Sequence, residues 1–325
     1  FLAVAASIII TRGMIDGDSF VDMLSLVMLS FPLVFFAGFM LSEPLTLPPR
    51  KLQQFMVVGI VGVLVGFAPL VGDFKVTPQV ALLVGNILAF YFGQRGAMIL
   101  SFVGKKQLSP SSYELTFRPE RGIRFAAGQY IELSLPHKRA DFRGYRRYFS
   151  IVSPEGSDEL KVAIRVAERS SSFKQALLKL REGQRITATL VGGDFVLPKQ
   201  PQPIILIAGG IGVTPFISHV SSFSEKQRAL TTLVLSVRAQ SELVYKDQIT
   251  KSGVRTLVVC PEKISTLPKN WAQVGELNTE VLTRLAGEKD PTLYISGPPG
   301  MVLWAKSLAK SAKLARIKTD YFTGY

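Results

Sequence analysis

Charged side chains are distributed so unevenly along this chain that it must contain two kinds of structure. Residues 1–96 carry five basic and five acidic side chains, so the entire net charge of +14 lies in residues 97–325. The whole chain is 47% apolar and only 19% charged, whereas soluble proteins carry about 25% charged residues. Intrinsic disorder is excluded, because it requires low hydrophobicity.

The first part of the chain contains three long apolar runs, at residues 21–42, 53–72 and 78–94. A helix that crosses about 30 Å of hydrocarbon needs roughly 20 apolar residues. The first two runs meet this length, and for the shorter third run a buried soluble helix is the alternative. Residues 1–10 are also apolar, and we expect them to end a span that begins upstream. The sequence thus predicts an α-helical transmembrane region over residues 1–96.

The basic residues near these runs predict an orientation. Loop 43–52 carries Arg50 and Lys51, and Arg95 follows the third run. Cytoplasmic loops carry an excess of Lys and Arg. We therefore expect a multi-pass protein of the cell membrane, with loop 43–52 and residues 95–325 in the cytoplasm.

Cysteine and histidine are too scarce for most metal chemistry. The single Cys260 cannot form an intrachain disulfide, a cysteine-ligated iron–sulfur cluster or a cysteine-rich zinc site. The two histidines, His137 and His219, both lie outside the apolar runs, and His219 is expected to be a packed residue. A bundle that holds two haems by histidine pairs would need four. We predict no metal site.

Residues 97–200 have the pattern of an antiparallel β domain. Five segments alternate apolar and polar side chains and are separated by Gly, Pro and Ser turns, which predicts strands of a barrel or sandwich: 112–119, 130–136, 148–153, 159–167 and 185–192. A helix is predicted over residues 171–183, with serines at its start and Gly183 after its end.

The pattern changes again in residues 201–325. Continuous apolar runs at 203–208, 231–237, 255–260 and 292–297 predict strands buried on both faces, with helical segments between them. Such a βαβ series predicts a parallel sheet with crossover helices.

Three motifs carry chemistry. In Arg147-Tyr148-Phe149-Ser150, the arginine offers donors to a phosphate, the Phe149 ring can pack on a flat heterocycle, and the serine hydroxyl can bond a ring nitrogen. Alternation along a strand sends Arg147 and Phe149 to one face. An ordinary strand after a basic loop is the alternative.

The other two motifs follow predicted buried strands. Gly209, Gly210 and Gly212 allow a backbone to approach a pyrophosphate at a helix N-terminus, although the motif is weak by itself. Residues 296–301 form a Gly-Pro turn at the carboxyl end of a strand, where open parallel sheets bind ligands.

In this order and spacing, residues 97–325 closely resemble the ferredoxin–NADP reductase superfamily, an FAD-binding antiparallel barrel followed by a pyridine-nucleotide domain. The family's Arg-x-Tyr/Phe-Ser/Thr, Pro-Gly-Gln-Tyr, Gly-Gly-x-Gly-x-Thr-Pro and Cys-Gly-Pro-x-x-Met motifs correspond to residues 147–150, 127–130, 209–215 and 296–301. The resemblance implies hydride transfer from NADPH or NADH to FAD, with FMN a less favoured cofactor.

The resemblance also implies the site residues. Catalytic roles fall to Ser150, which would bond near flavin N5, and to Ser296. Cofactor contacts are expected from Tyr130, Arg147, Tyr148, Phe149, Ser150, Val166, Ser172, Phe173, Lys174, Gly209, Gly210, Gly212, Thr214, Pro215, Arg238, Gly297, Pro298, Met301 and Phe322.

Some of these assignments depart from the family's pattern or rest on position alone. Ser296 stands where the family has cysteine, and residues 171–174 lack the usual glycine at the flavin pyrophosphate. Arg238, after a buried strand, would favour a 2′-phosphate, but NADH and NADPH both stay open. The C-terminal Phe322 is expected to cover the flavin ring, with Tyr325 as second choice; a surface tail is the alternative.

Residues 39–49 more faintly resemble the membrane subunit of Rnf complexes and sodium-pumping NADH:quinone reductases, with Glu43-Pro44-Leu45-Thr46 in place of Asp-Pro-Val-Thr. The sequence therefore predicts a membrane-bound reductase that passes electrons to a quinone, a membrane flavin or a partner subunit. The alternatives are a relative of NADPH oxidases and ferric reductases with haem on upstream spans, and an anchored flavoprotein-like binding module. No nucleic-acid module is evident, and the basic surplus suits phosphate cofactors and anionic lipid.

Overall fold

The structure is a computed structural model that describes residues 1–30, 33, 36–37, 51–67, 70–71, 74–92, 98–138, 140–141, 144–166, 170–287 and 290–321. The chain divides into two compact units, Phe1–Arg95 and Gly96–Tyr325. The predicted domain boundaries after residues 96 and 200 stay predictions.

The described part of the first unit is mainly helical. Its elements are α1 (Leu2–Ile15), α2 (Phe20–Ser25), a π-helical turn (Leu26–Ser30), α3 (Lys51–Phe67), strands β1 (Leu70–Val71) and β2 (Phe74–Lys75), and α4 (Pro78–Phe92). Small and β-branched side chains form its core, among them Ala5, Val57, Val61 and Ala81. Small residues suit these contacts, since a β-carbon on Gly85 would lie 2.5 Å from Val61 Cγ2.

The prediction of membrane-spanning helices is not met. Among the described residues, no helix combines the length and the apolar character that a bilayer crossing requires. Helix α3 has 17 residues and α4 has 15, or about 25 Å and 22 Å at 1.5 Å per residue. The run at 53–72 is interrupted because Leu70–Val71 pairs with Phe74–Lys75 as a strand. Much of run 21–42, and all of segment 39–49, lies outside the described residues.

The first half of the second unit is an antiparallel sheet. Its strands are β3 (Met98–Ser109), β4 (Ser112–Pro119), β5 (Tyr130–Ser134), β6 (Arg146–Ser150), β7 (Leu160–Arg165) and β8 (Arg185–Gly192), in the order β6-β5-β8-β3-β4-β7. An antiparallel bridge between Ile151 and Val162 joins the two outer strands, so the sheet closes into a barrel. The predicted antiparallel strands are confirmed, whereas β3 was not predicted.

Helix α5 (Ser172–Leu178) is shorter than the predicted 171–183. Ser171 caps its start as expected, with Oγ accepting from the backbone N–H of Lys174. Gly183 is not its C-cap: it lies in the turn before β8, with φ of +77°, and donates a 2.8 Å hydrogen bond to the carbonyl of Phe102. The helix instead ends at Leu178, with Lys179 as its C-cap.

The second half is a parallel sheet with helices on both sides, as predicted. Its strands are β9 (Ile204–Gly209), β10 (Thr231–Ser236), β11 (Arg255–Val259), β12 (Trp271–Val274), β13 (Thr292–Gly297) and β14 (Ile317–Tyr321), in the order β12-β11-β10-β9-β13-β14. The helices are α6 (Thr214–Ser221), α7 (Glu225–Ala229), α8 (Lys246–Ser252), α9 (Thr279–Ala286) and α10 (Pro299–Ser311). Strands β12 and β14 were not predicted.

Buried contacts join the barrel to this α/β domain. Val152 and Phe195 of the barrel belong to the same apolar cluster as Phe216 and Ile217 of α6. His219, also on α6, is buried and bonds the carbonyl of Phe195 through Nε2 at 3.2 Å. Burial lowers the pKa of His219 to about 4, so the ring is neutral at neutral pH. His219 is thus the packed residue that the sequence predicted.

Candidate active site

A cleft lies where the barrel meets the α/β domain. Its lining residues are Arg147, Tyr148, Phe149, Ser150, Ala163, Ile164, Arg165, Ser171, Lys174, Ile211 and Thr214. The flavin motif on β6 therefore shares a cleft with Ile211 and Thr214, which belong to the motif at residues 209–215. Gly209 and Gly210 themselves do not line this cleft.

Arg147 and Phe149 lie two positions apart on strand β6, so alternation along the strand should place their side chains on the same face. Arg147 Cζ lies 5.3 Å from the ring centroid of Phe173, and the Phe149 ring stacks on the same ring at 6.0 Å. The two side chains thus share a face. The Phe149 ring is only 8% exposed and belongs to the barrel core as well as to the cleft wall, whereas Tyr148 is 42% exposed.

The Arg147 guanidinium is held in place before any cofactor binds. It forms a 2.5 Å ion pair with Asp141 Oδ1 and donates to the carbonyl of Gly144 at 3.1 Å. The side chain is 13% exposed. Asp141 therefore orients an arginine whose fork of donors suits a phosphate.

The Ser150 hydroxyl is buried beside the cleft and lacks a hydrogen-bond partner among the described residues. Leaving a buried hydroxyl unpaired costs about 1–3 kcal/mol. A ligand atom that bonds this oxygen would recover that cost. Ser150 therefore fits a polar atom of a group bound in the cleft.

Of the three predicted residues at the start of helix α5, only one lines the cleft. Lys174 lines the cleft, and its Nζ donates to the carbonyl of Arg165 at 2.9 Å. Ser172 Oγ instead bonds His137 Nε2 at 2.9 Å and accepts from the backbone N–H of Asp141 at 3.1 Å. Phe173 is fully buried. Ser172 and Phe173 thus support the loop that holds Arg147, while Lys174 faces the cleft.

The glycine-rich turn packs closely on the end of β13. A β-carbon on Gly212 would lie 2.5 Å from the carbonyl oxygen of Ser296 and 2.6 Å from Gly297 Cα. Residues 210–213 form a 3₁₀ turn that leads into α6, whose first residues are Thr214 and Pro215. Only glycine permits this approach, which sets the helix N-terminus at the carboxyl ends of the strands.

A second cleft lies at the carboxyl ends of the parallel strands. Its lining residues are Arg165, Gly209, Gly210, Ser236, Val237, Arg238, Glu242, Val259, Pro261, Gly275, Glu276, Leu277, Pro298, Met301 and Trp304. Five predicted residues, namely Gly209, Gly210, Arg238, Pro298 and Met301, meet there. Arg238 is exposed, as a residue that binds a ligand phosphate should be.

Several other predicted residues that the structure describes lie outside the two cleft linings. Ser296 Oγ is fully buried and has no hydrogen-bond partner among the described residues. The ring of Tyr130 makes an edge contact with Tyr148 at 5.2 Å. Val166 N–H bonds the carbonyl of Ser111 at 2.7 Å. Phe322, like Tyr325, lies outside the described residues.

The sequence prediction missed three further residues of this region, namely Arg165, Glu242 and Asp320. Arg165 lines both clefts and forms a 2.9 Å ion pair with Glu242. Its signal was a basic side chain at the end of a strand, the same signal that singled out Arg238. Asp320, on β14, has a pKa raised to about 7 by burial and, secondarily, by the nearby Asp194 carboxylate. Nothing local in the sequence marks Asp320.

Comparison with known proteins agrees with this arrangement. The family model described as "Oxidoreductase NAD-binding domain" matches residues 206–307. The chain is 27% identical over 225 residues to tetrachlorobenzoquinone reductase of Sphingobium chlorophenolicum, covering 65% of this chain and 63% of the relative. It is 28% identical over 222 residues to ferredoxin–NADP reductase B of Sorangium cellulosum, covering 64% and 89%.

Other relatives extend beyond the part that this chain matches. A flavohemoprotein of Bacillus subtilis is 26% identical over 186 residues, which cover 55% of this chain and 46% of that protein. The chain thus spans about half to two thirds of the length of two of these relatives.

Solved structures share the fold. A ferredoxin–NADP⁺ reductase from Neisseria gonorrhoeae with bound FAD and NADP superposes with a TM-score of 0.57 at 19% identity, over 70% of this chain and 99% of that one. The comparisons thus show the fold of such a reductase over 70% of this chain and a match to an oxidoreductase NAD-binding domain over residues 206–307. The fused membrane domain that residues 39–49 suggested is not shown by these comparisons.

Proposed function

We propose that this chain oxidises NAD(P)H with FAD as its bound cofactor and passes the electrons to an acceptor at a membrane. The observation that carries the flavin assignment is the unpartnered hydroxyl of Ser150, buried in the cleft that β6 shares with Ile211 and Thr214. The cofactor and the hydride donor must meet in one cleft, because the reacting atoms have to approach to about 3–3.5 Å.

The residues present fit FAD. Arg147 and Lys174 bring two cations to the barrel side of the cleft, which suits a pyrophosphate, and Ser150 offers a hydroxyl to a flavin ring nitrogen. FAD supplies the hydride-accepting ring and can release electrons one at a time. The protein's contribution is to orient the two nucleotides and to exclude water.

The α/β domain provides the dinucleotide side of the site. The turn at Gly209–Gly212 brings the N-terminus of α6 to the cleft edge, where backbone N–H groups attract phosphate. Arg238 lies exposed in the second cleft and favours the 2′-phosphate of NADPH over NADH. Ser296 lies fully buried at the end of β13, beside this turn.

The membrane part of the proposal rests on the surface of the first unit. Large apolar side chains there are strongly exposed, including Leu29 at 83%, Phe55 at 75% and Tyr91 at 84%. Most exposed large apolar residues of the described chain belong to this unit. Surfaces of this kind mark membrane or protein contacts. We propose that this unit lies against the cell membrane, with residues 96–325 on the cytoplasmic side, where NAD(P)H is supplied.

Two observations bear on the acceptor. One relative is named as a quinone reductase, and others are named as electron transfer or ferredoxin reductase components of oxygenases. An apolar quinone dissolves in the bilayer that the first unit is proposed to contact. We therefore favour a membrane quinone, with a membrane flavin or a partner subunit as the other routes.

The experiment uses the purified full chain under anaerobic conditions. We expect bound FAD whose visible absorbance bleaches on addition of NADPH and returns on addition of a quinone in phosphatidylcholine vesicles. Protein that neither contains nor rebinds flavin would refute the flavin assignment. Reoxidation by a soluble dye but by no quinone or membrane fraction would refute the acceptor, and a haem absorbance band would favour the haem-containing alternative.

Vesicle flotation tests the membrane contact separately. The double variant Leu29→Asp, Phe55→Asp should lose co-flotation while retaining NADPH-to-dye activity. The matched control is Leu303→Asp, which changes a side chain that is 67% exposed on α10 and should float like the unmodified chain. Equal flotation of all three proteins would exclude this surface as the membrane contact.

A further inference from the structure

His137 links the loop after β5 to the start of helix α5. Its Nδ1 lies 2.8 Å from the carbonyl oxygen of Leu135, and its Nε2 lies 2.9 Å from Ser172 Oγ. A carbonyl oxygen only accepts, so in the neutral ring Nδ1 carries the hydrogen and Nε2 accepts from the serine hydroxyl. Both ring nitrogens are therefore engaged, although His137 and Ser172 are 35 positions apart.

Ser172 connects this histidine to the loop that holds Arg147. Its Oγ accepts the backbone N–H of Asp141 at 3.1 Å, while its own hydrogen is donated to His137. The carboxylate of Asp141 in turn forms the 2.5 Å ion pair with Arg147 NH2. A chain of polar contacts thus runs from His137 through Ser172 and Asp141 to a guanidinium that lines the cleft.

The ring of Phe173 is a second partner that His137 and Arg147 share. His137 meets this ring edge-on, with the centroids 5.9 Å apart and the planes at 81°. Arg147 Cζ lies 5.3 Å from the centroid of the same ring, which is fully buried. The histidine therefore packs against the fixed ring that also supports the arginine, although His137 itself lines neither cleft.

The helix start does not need Ser172 as a cap. Ser171 already caps α5, because its Oγ accepts the backbone N–H of Lys174. The Ser172 hydroxyl is instead bonded to the loop between β5 and β6, and Ser172 is absent from the lining of both clefts. Within that loop it holds Asp141, the residue that orients Arg147. The contacts of His137 and Ser172 therefore bear on where the arginine lies.

We propose that His137 is a positioning residue for flavin binding, which acts through Ser172 and Asp141 to hold the Arg147 guanidinium where the flavin phosphate binds. The proposal rests on the proposed function, in which Arg147 and Lys174 receive that phosphate. An arginine that is already held loses less side-chain freedom when a phosphate binds. His137 therefore contributes to the part of the flavin affinity that depends on phosphate and not to the part that depends on the ring.

The test compares flavins with and without a phosphate. Fluorescence titration of the flavin-free full chain measures the dissociation constants of FAD and FMN, which carry a phosphate on the ribityl chain, and of riboflavin, which carries none. Loss of one hydrogen bond predicts that His137→Ala weakens FAD and FMN binding about 3- to 10-fold and changes riboflavin binding by less than about twofold. Equal weakening for all three flavins, or weakening for FAD alone, would overturn the proposal.

Ser172→Ala removes a single oxygen and should reproduce the effect of His137→Ala. Because the two side chains act in one chain of contacts, the double variant should lose no more FAD affinity than either single variant. Losses that multiply would show that the two residues act independently, against the proposal.

Conservative substitutions of His137 separate its two hydrogen bonds. The amide oxygen of His137→Gln can accept from Ser172 Oγ, so this variant should recover much of the FAD affinity. The shorter side chain of His137→Asn can serve only the carbonyl of Leu135 and should behave like His137→Ala. Recovery with asparagine and not with glutamine would assign the effect to the Leu135 contact and would overturn the proposal.

Asp141→Ala removes the ion pair with Arg147 itself. Loss of this charge-assisted contact should weaken FAD binding about 10- to 100-fold, more than either substitution further along the chain of contacts. Tighter FAD binding in Asp141→Ala would show that this carboxylate competes with the flavin phosphate, which is incompatible with a positioning role.

The matched control is Ser252→Ala, at the end of α8 and outside both cleft linings. Its hydroxyl also accepts one backbone N–H, that of Val254 at 3.4 Å, and donates one hydrogen bond, to the carbonyl of Ile249 at 2.6 Å. This variant should bind all three flavins normally, and a loss as large as that of Ser172→Ala would overturn the proposal. If the unmodified chain bound no flavin, the proposed function would fail; FAD binding that no His137 variant changed would refute this inference alone.

Discussion

Ser218 donates a 2.6 Å hydrogen bond to the carbonyl oxygen of Ser153, and this buried contact ties helix α6 to the barrel. Because α6 begins at the glycine-rich turn, the contact also sets where that turn lies relative to β6. The active-site cleft therefore depends on a hydrogen bond that neither motif contains.

Ser218→Ala should lower the free energy of unfolding by about 1 kcal/mol, the usual contribution of one hydrogen bond. Chemical denaturation of the flavin-free chain measures the change. Ser222→Ala is the matched control, since its hydroxyl bonds carbonyls of its own helix, and we expect a smaller effect. If both substitutions lowered the free energy of unfolding equally, the hydrogen bond between the domains would stabilise the chain no more than a bond within one helix.

Ser150→Ala should have opposite effects on stability and on activity. Removing an unpartnered buried hydroxyl relieves a cost of about 1 kcal/mol, so the flavin-free protein should unfold at a higher temperature. Flavin reduction by NADPH, followed by stopped-flow absorbance, should slow about 10- to 100-fold, because a hydrogen bond to the flavin ring is lost. A variant that reduces flavin at the normal rate would remove Ser150 from the catalytic site.

Gly212→Ala should destabilise the α/β domain. The new methyl group would meet the backbone of Ser296 and Gly297 at 2.5–2.7 Å, and overpacking of this kind costs about 1–3 kcal/mol. The control is Gly300→Ala in α10, where a β-carbon meets nothing within 4 Å and alanine should stabilise the helix slightly. Unchanged thermal unfolding of Gly212→Ala would contradict the close approach of the turn to β13.

Asp320 should make the protein less stable as pH rises from about 4 to about 7. Burial raises its pKa to about 7 from an ordinary 3.8, so within this window the folded state holds a proton that the unfolded state has released. The stabilising effect is complete at low pH and is lost above the raised pKa. Asp320→Asn should therefore increase the free energy of unfolding at pH 8 by on the order of 1 kcal/mol.

The comparison of pH 4 with pH 8 supplies the control for Asp320→Asn. At pH 4 the carboxyl group is protonated in the folded chain, so the substitution should have little effect on unfolding there. An equal gain at both pH values would assign the effect to packing instead of titration.

Arg238→Ala should lower the preference for NADPH over NADH about tenfold in kcat/KM, through loss of a charge-assisted contact with the 2′-phosphate. Arg255→Ala is the control, because Arg255 is exposed at the opposite, amino end of the parallel strands. A preference unchanged in both variants would assign nucleotide choice to another residue.

Much of the reductase fold followed from local patterns. The alternating segment 185–192 and the apolar run 292–297 correspond exactly to β8 and β13. Strands whose position depends on pairing with distant strands were harder to predict. Strand β3 carries two bulges where it pairs with β4, and this irregular pairing obscures its alternation. Strand β14 is only five residues long, and among the described residues it pairs with β13 alone.

The apolar runs of the first unit show the same limit. Length and hydropathy predicted spans, but α3 ends at Phe67, and Leu70–Val71 then pairs with Phe74–Lys75. Hydropathy counts apolar residues in a window and contains no information about where a helix stops. The strongly exposed apolar side chains on the resulting short helices are a tertiary observation, and they now carry the membrane proposal.

The sequence by itself determined the division into an apolar, net-neutral part and a basic part. It also determined the order of the β and α/β domains and the motifs at Arg147–Ser150 and Gly209–Gly212. These are local properties, set by periodicity, glycine and charge. Only the tertiary structure decided that Arg165 and Glu242, 77 positions apart, meet between two clefts, and that the partly buried Asp320 lies near Asp194. Such contacts arise from the packing of strands that are distant in the chain, and no spacing along the sequence encodes them.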